Sequence, residues 1–230
     1  MRRNFLTALL ALACGFAGAG LWSVSGLDNA RTRAWLVANP EVLPEMAAAL
    51  QRNEAQVRLA EVGDAVARPF PGAVLGNPAG KRVLVMFTDY ACGYCRSSER
   101  DVARLIAADP DLKVVIREWA IFPGSENAAR MALAAAQQGR YAAFHKAMFA
   151  GGAPNAEGVA RAARAAGLDM ARASAFAASD RAAAELARTT QFARTLGFAG
   201  TPGWIAEGQV IEGAVGYDRL KAALDGSEAA

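Results

Sequence analysis

The chain has 230 residues, 53% of them hydrophobic and 20% charged, with a formal net charge of +3. That is enough chain for one well-cored domain with an appendage, and the balance of apolar and charged residues is that of a folded protein. The positive charge is spread out, with no Lys/Arg block or aromatic-interleaved basic patch, which argues against nucleic acid as a partner. Three cysteines and one histidine leave little material for a metal site within one chain, and nothing calls for a cofactor.

Met1-Arg2-Arg3 precedes an uncharged, mostly apolar run from Asn4 to Gly26. Positive charge before an apolar stretch directs a chain out of the cytosol, so residues 1–26 read as a signal peptide or an N-terminal membrane anchor. Ala17-Gly18-Ala19 has the small-residue pattern of a signal-peptidase site, while Phe5 to Val24 is close to the ~20 residues that span a bilayer. Cys14 lies inside this segment and reads as an apolar thiol of it. Under either reading the folded part faces an oxidising space, where redox-active thiols find disulfide substrates.

Residues 27–66 read as helical. Asn39-Pro40-Glu41 has the order of an N-cap, a first-turn proline and a first-turn acid, although Pro44 removes a backbone donor and the regular helix can begin there. Leu43, Met46, Leu50, Asn53 and Val57 follow at spacings of three, four, three and four. So narrow a seam, with one polar member, wants a partner helix, either a second copy of the chain or the chain's own domain.

The main domain is expected over 67–226. Ala67 to Gly80, with Pro69, Pro71 and Pro78, is a hinge and lead-in with a short strand at Ala73-Val74-Leu75. The run Val83-Leu84-Val85-Met86-Phe87-Thr88 is a strand, and Arg96 to Ala108 a helix. Between them stands Cys92-Gly93-Tyr94-Cys95. Thiols two residues apart on a first helical turn can close a disulfide with little rearrangement, and the unpaired N–H groups of a helix N-terminus favour negative charge on the first. Leu112 to Trp119 alternates as a further strand, so strand, helix and strand predict a parallel crossover.

From about 125 to 196 the spacing is helical, over Ala128–Gln138, Arg140–Phe149, Ala156–Ala166 and Asp180–Leu196. His145, alone in this insertion and far in sequence from the cysteines, reads as structural or surface. Strand pattern returns over Gly200 to Ala206 and Gln209 to Ile211, joined by Glu207-Gly208, and Tyr217 to Leu224 closes the chain as a helix. Pro202 immediately before a buried-looking strand is awkward for pairing. The fold class is α/β.

A strand leading into Cys-Gly-Tyr-Cys, a helical insertion, and a late Gly-Thr-Pro before a hairpin and last helix together resemble the DsbA-like family of bacterial thiol–disulfide oxidoreductases. That resemblance covers roughly Val74 to Leu224 and implies a thioredoxin-like fold. The upstream Asn-Pro-Glu-Val-Leu segment is also similar to the oligomerisation region of the suppressor-of-copper-sensitivity C group. On this resemblance Cys92 is the exposed nucleophile and Cys95 the resolving thiol. Pro202 is the cis-proline facing the active site, and Thr201 binds substrate beside it. It also implies thiol- or disulfide-containing protein substrates, a membrane redox partner and a periplasmic location, either soluble after cleavage or anchored to the inner membrane.

Two features bear on direction. Gly93-Tyr94 departs from the Pro-His pair of the strongly oxidising members and resembles the pair of bacterial disulfide isomerases. Met86, six residues before Cys92, stands where many thioredoxin-fold enzymes place a buried proton-relaying carboxylate. Asp89, expected on a loop near the surface, and Glu118 are the substitutes in view. Isomerase or reductase chemistry is therefore the first reading. A DsbA-type oxidase is the second, and a non-enzymatic periplasmic chaperone or copper-handling protein the competing class. Tyr90, Phe122, Pro123 and Trp204 are either the lining of an apolar groove for unfolded peptides or core.

Overall fold

The computed structural model describes residues 12, 14–18, 20, 27–151 and 153–227, so most of the signal-or-anchor segment falls outside the described residues. Among the described residues no helix is long and apolar enough to cross a membrane. The chain divides into two units, 1–51 and 52–230.

The first unit carries α1 (Leu27–Ala38), a 3₁₀ turn (Pro40–Val42) and the start of α2 (Leu43–Val62). Asn39 does not cap a helix as its sequence context suggests: its amide nitrogen donates back to the Trp35 carbonyl at 2.7 Å. The regular helix begins at Leu43 and holds Pro44 in its first turn, where the missing N–H has no intrahelical partner to lose. Trp35, Val37, Leu43, Met46 and Leu50 are exposed, and so are Asn53 and Val57 further along α2.

The second unit is built on a five-stranded sheet of order β1-β3-β2-β4-β5. Its strands are β1 (Val74–Gly76), β2 (Arg82–Thr88), β3 (Leu112–Glu118), β4 (Gly203–Ala206) and β5 (Gln209–Glu212). β2 and β3 run parallel, with α3 (Gly93–Ala108) as their crossover, while β1, β4 and β5 pair antiparallel. β2 is buried on both faces, which is why its sequence is an unbroken apolar run rather than an alternation. β4 is an interior strand that begins just after Pro202, so the proline stands outside the ladder it would disrupt. The β4–β5 turn is Glu207-Gly208, with φ of 42° and 75°, the left-handed pair of a tight hairpin.

The insertion comprises α4 (Glu126–Gln137), α5 (Tyr141–Ala150), α6 (Ala156–Ala165), α7 (Met170–Ala177) and α8 (Asp180–Leu196), and α9 (Gly216–Leu224) closes the fold. α7 is absent from the periodicity reading. It is only eight residues long, buries Ala173 alone, and owes its start to Asp169, whose carboxylate accepts from the Arg172 N–H at 3.1 Å.

Each sheet face has its own core. Leu84, Met86, Val114 and Ile116 point toward α3, α9 and the insertion, together with Cys92 and Cys95. Val85, Phe87 and Val115 meet Val62, Val66, Ala193, Leu196 and Phe198 on the other side. On that second face the Arg117 guanidinium is buried against Glu185 at 2.9 Å and the carbonyls of Ala65, Val66 and Arg68. Gly203 lets the Phe198 ring approach closely: a Cβ there would lie 3.0 Å from the ring.

Candidate active site

Cys92 is the N-cap of α3. The turn before it is closed by the Cys92 N–H to the Asp89 carbonyl at 3.0 Å, and Asp89 is itself the fastening of this corner. One of its carboxylate oxygens accepts from the Ala91 N–H at 2.7 Å. The other accepts from the N–H groups of Ile121 and Phe122 and from the Ser125 hydroxyl at 2.7, 3.0 and 2.7 Å. Asp89 is therefore buried, not near the surface as expected. Its acceptor sites are spent on holding the loop after β2 to the loop after β3, which fixes where α3 begins.

The Cys92 sulfur accepts from the Cys95 N–H at 3.4 Å and its thiol donates to the Thr201 carbonyl at 3.2 Å. The Thr201–Pro202 bond is cis. Thus the residues singled out at the two ends of the sequence, Cys92, Cys95, Thr201 and Pro202, meet at one place. Both cysteines are free thiols. The expectation of an exposed Cys92 is corrected: the residue is 3% accessible, because the sulfur lies in the crevice between the helix N-terminus and the Thr201 carbonyl. Tyr94 beside it is exposed.

Cys95 is wholly buried, and burial pushes its thiol up to about 12. The Thr88 hydroxyl, the Asp89 N–H and the Thr201 hydroxyl counter that shift by favouring the charged sulfur. Both hydroxyls are buried and have no partner while Cys95 is a thiol. They are placed to donate once the sulfur becomes charged.

A second set of polar groups lies behind the dithiol. Glu118, at the end of β3, accepts from the hydroxyls of Tyr90 and Tyr141 at 2.9 and 2.5 Å on one carboxylate oxygen. His145 Nδ1 lies 3.0 Å from the Tyr90 hydroxyl, and its Nε2 is 3.1 Å from Glu99. Burial raises the Glu118 carboxyl to about 7, with the facing His145 charge and the two tyrosine hydroxyls opposing the shift. Burial also raises both tyrosines well above the ordinary phenol value. His145 is thus a buried partner in a polar row. A sequence signal for this exists in hindsight: Glu99 is one helical turn after Cys95, and His145 one turn after Tyr141.

Met86 is fully buried in the core, paired across β2–β4 with Trp204. Of the four aromatic-groove candidates, Tyr90 and Trp204 are core, while Phe122 and Pro123 are exposed on the loop tied to Asp89. An open apolar cavity of about 560 Å³ between α4, α6 and α7 contains none of the site residues. Among the described residues no group of three or more His, Cys, Asp or Glu is placed to hold a metal ion.

A model of the DSBA-like thioredoxin domain matches residues 83–225. The chain belongs to the DSBA-like thioredoxin domain family. This is a family of thiol–disulfide oxidoreductases, and the matched span runs from the strand before the motif through the final helix. A thioredoxin-like oxidoreductase from Silicibacter pomeroyi DSS-3 is 40% identical, covering 70% of this chain and 95% of its own with a TM-score of 0.67. Proteus mirabilis ScsC, in a transitional conformation, is 26% identical over 86% of this chain and 94% of its own, with a TM-score of 0.68. BcfH of Salmonella enterica Typhimurium shares the fold at 24% identity, covering 97% of this chain and 100% of its own with a TM-score of 0.67. No curated protein sequence matches significantly.

Proposed function

We propose that this is an exported thiol–disulfide oxidoreductase of the bacterial envelope that works through Cys92-Gly93-Tyr94-Cys95, with Cys92 as nucleophile and Cys95 as resolving thiol. The observation that carries this reading is the Cys92 sulfur held between the N-terminus of α3 and the Thr201 carbonyl beside cis-Pro202. An extended substrate passing Thr201–Pro202 would present its disulfide to Cys92. Cys92 attacks one sulfur, a mixed disulfide forms and the other substrate sulfur leaves. Either a second substrate thiol or Cys95 then breaks the mixed disulfide; the first route is isomerisation and the second net reduction.

Isomerase or reductase work is favoured over oxidation by the Gly93-Tyr94 pair and by the high Cys95 thiol, which slows resolution and lengthens the life of the mixed disulfide. The Arg2-Arg3 and apolar opening supports export to the periplasm as residues 1–26, removed or retained as an anchor. Segment 27–66 then precedes the catalytic domain over 67–226, and its exposed seam supports a homo-oligomer through α2. With one Cys-x-x-Cys, electrons come from or go to another protein, proposed to be a membrane redox partner.

Reduction of insulin disulfides and reactivation of a scrambled substrate test the proposal. The wild-type chain is expected to perform both and Cys92→Ser neither; full activity of Cys92→Ser in both would remove the enzymatic reading. The redox state of Cys92 and Cys95 in the cell separates the directions, mainly reduced for isomerase or reductase and mainly oxidised for oxidase.

A further inference from the structure

Helix α5 of the insertion grips the redox motif from both sides. Ahead of the motif, Tyr90 has its ring centroid 4.9, 5.6 and 6.1 Å from those of Phe149, His145 and Phe144, all on α5. Its hydroxyl lies 3.0 Å from His145 Nδ1. Behind the motif, Arg96 follows Cys95 directly on α3, and its guanidinium donates to the Phe149 carbonyl, one of the last carbonyls of α5, which have no partner within their own helix. One turn further along α3, Glu99 Oε1 sits 3.1 Å from His145 Nε2. A carboxylate only accepts, so Nε2 donates in that bond. The buried His145 ring therefore holds the corner before Cys92 with one nitrogen and the helix after Cys95 with the other.

The thiol–disulfide steps consume none of these bonds. The backbones of α3 and α5 approach each other at few points, so side chains make the junction. Asp89 fixes the corner where α3 begins, but a fixed corner does not by itself set the direction of the helix axis. Arg96 and Glu99 lie three residues apart on one flank of α3, where a tilt away from α5 would be resisted. That direction matters to Cys92 because the sulfur is the cap of α3, with the Cys95 N–H at 3.4 Å and the Thr201 carbonyl at 3.2 Å. Stabilisation of negative charge at a helix N-terminus is confined to the first turn, so it depends on the sulfur staying over those N–H groups.

We propose that Glu99 and His145 are positioning residues for Cys92: their bond ties α3 to α5 and holds the first-turn N–H groups on the Cys92 sulfur. The insertion thereby sets how strongly the Cys92 thiolate, and with it the reduced dithiol, is stabilised. Both residues act through α3 rather than on the reacting sulfurs. The inference rests on Cys92 being the nucleophile of the proposed oxidoreductase.

Glu99→Gln and Glu99→Ala in the full chain separate the tether from the charge. Both remove the carboxylate charge, and only the glutamine keeps an oxygen for His145 Nε2. The Glu99 side chain is 22% exposed, so both variants are expected to fold. Each reduced protein is titrated by ultraviolet thiolate absorbance, and each is equilibrated with glutathione redox buffers. Relative to Glu99→Gln, Glu99→Ala should move the dithiol about threefold toward the disulfide and raise the Cys92 titration midpoint, because the helix terminus then stabilises the thiolate less. Identical equilibria and midpoints in the two variants overturn the proposal. So does a Glu99→Ala chain that only unfolds at lower urea, since the bond would then serve stability alone. Should Glu99→Ala fail to fold, Glu99→Ser, too short to reach His145, takes its place in the comparison. The wild-type chain separates the two levels. If it forms no Cys92–Cys95 disulfide in any glutathione buffer, the oxidoreductase reading fails and the tether with it; if it does so and the variants agree, the tether alone fails.

Discussion

The Cys92 thiol donates to the Thr201 carbonyl across 3.2 Å, joining positions 109 residues apart. That bond places the nucleophile candidate under the loop that would receive substrate, and places Cys95 one helical turn deeper, where no solvent reaches it. The two thiols therefore differ in environment far more than their spacing suggests.

Alkylation reads that difference directly. With its thiol at about 12, Cys95 stays protonated at pH 8, so iodoacetamide added to the reduced protein should modify Cys92 and leave Cys95 unmodified by peptide mass mapping. Equal labelling of both would contradict the burial argument.

Replacing the resolving thiol should trap substrate. Cys95→Ser is expected to accumulate mixed disulfides visible as reductant-sensitive bands on non-reducing gels, and Cys92→Ser/Cys95→Ser to accumulate none. Trapping by the double variant would move the nucleophile elsewhere.

Glu118 links stability to pH with a definite sign. Its carboxyl lies at about 7 in the folded chain and at the ordinary ~4.3 when unfolded, so between these values the folded state holds the extra proton. The contribution is fully present below ~4.3, is lost as pH rises through about 7, and is on the order of 3 kcal/mol. Denaturant titrations at pH 4.5 and 7.5 should show wild type losing that much relative to Glu118→Gln. Parallel pH profiles for the two would show that Glu118 is not held protonated.

Arg117 and Glu185 should behave as a buried pair. Glu185→Ala leaves the guanidinium with backbone carbonyls and the Phe192 ring but no counter-charge, and is expected to cost about 3 kcal/mol in urea unfolding. Arg117→Met combined with Glu185→Leu should cost much less than Glu185→Ala, because no unpaired charge is then buried. A double variant no better than the single one would assign the loss to packing.

The seam on α2 predicts concentration-dependent assembly. Leu50→Asp should convert an oligomer to a monomer by sedimentation, with insulin reduction by the monomer retained. A wild-type chain already monomeric at high micromolar concentration would rule the seam out as an interface.

Much of the fold was legible because the signals are local. The apolar run of β2, the alternation of β3 and the Glu-Gly turn each declare themselves within a few residues. α7 did not, since a short alanine-rich helix carries no contrast between its faces. The Asn39 cap misled because a favourable cap residue was drawn instead to the carbonyl of the preceding helix. Asp89 misled for a related reason: a loop position says nothing about whether three donors from another loop will close over it.

By itself the sequence determined that two thiols open a helix after a buried strand, and that a Thr-Pro stands before a late hairpin. Residue type and short-range spacing suffice for that. Only the tertiary structure decided that Cys92 lies enclosed against the Thr201 carbonyl. It alone decided that Met86 and Trp204 are core, and that Glu99, His145, Tyr141, Tyr90 and Glu118 form one row. These groups come from the helix after the motif, the insertion, the corner before the motif and the end of β3. Their proximity follows from sheet order and helix packing, which no local pattern encodes.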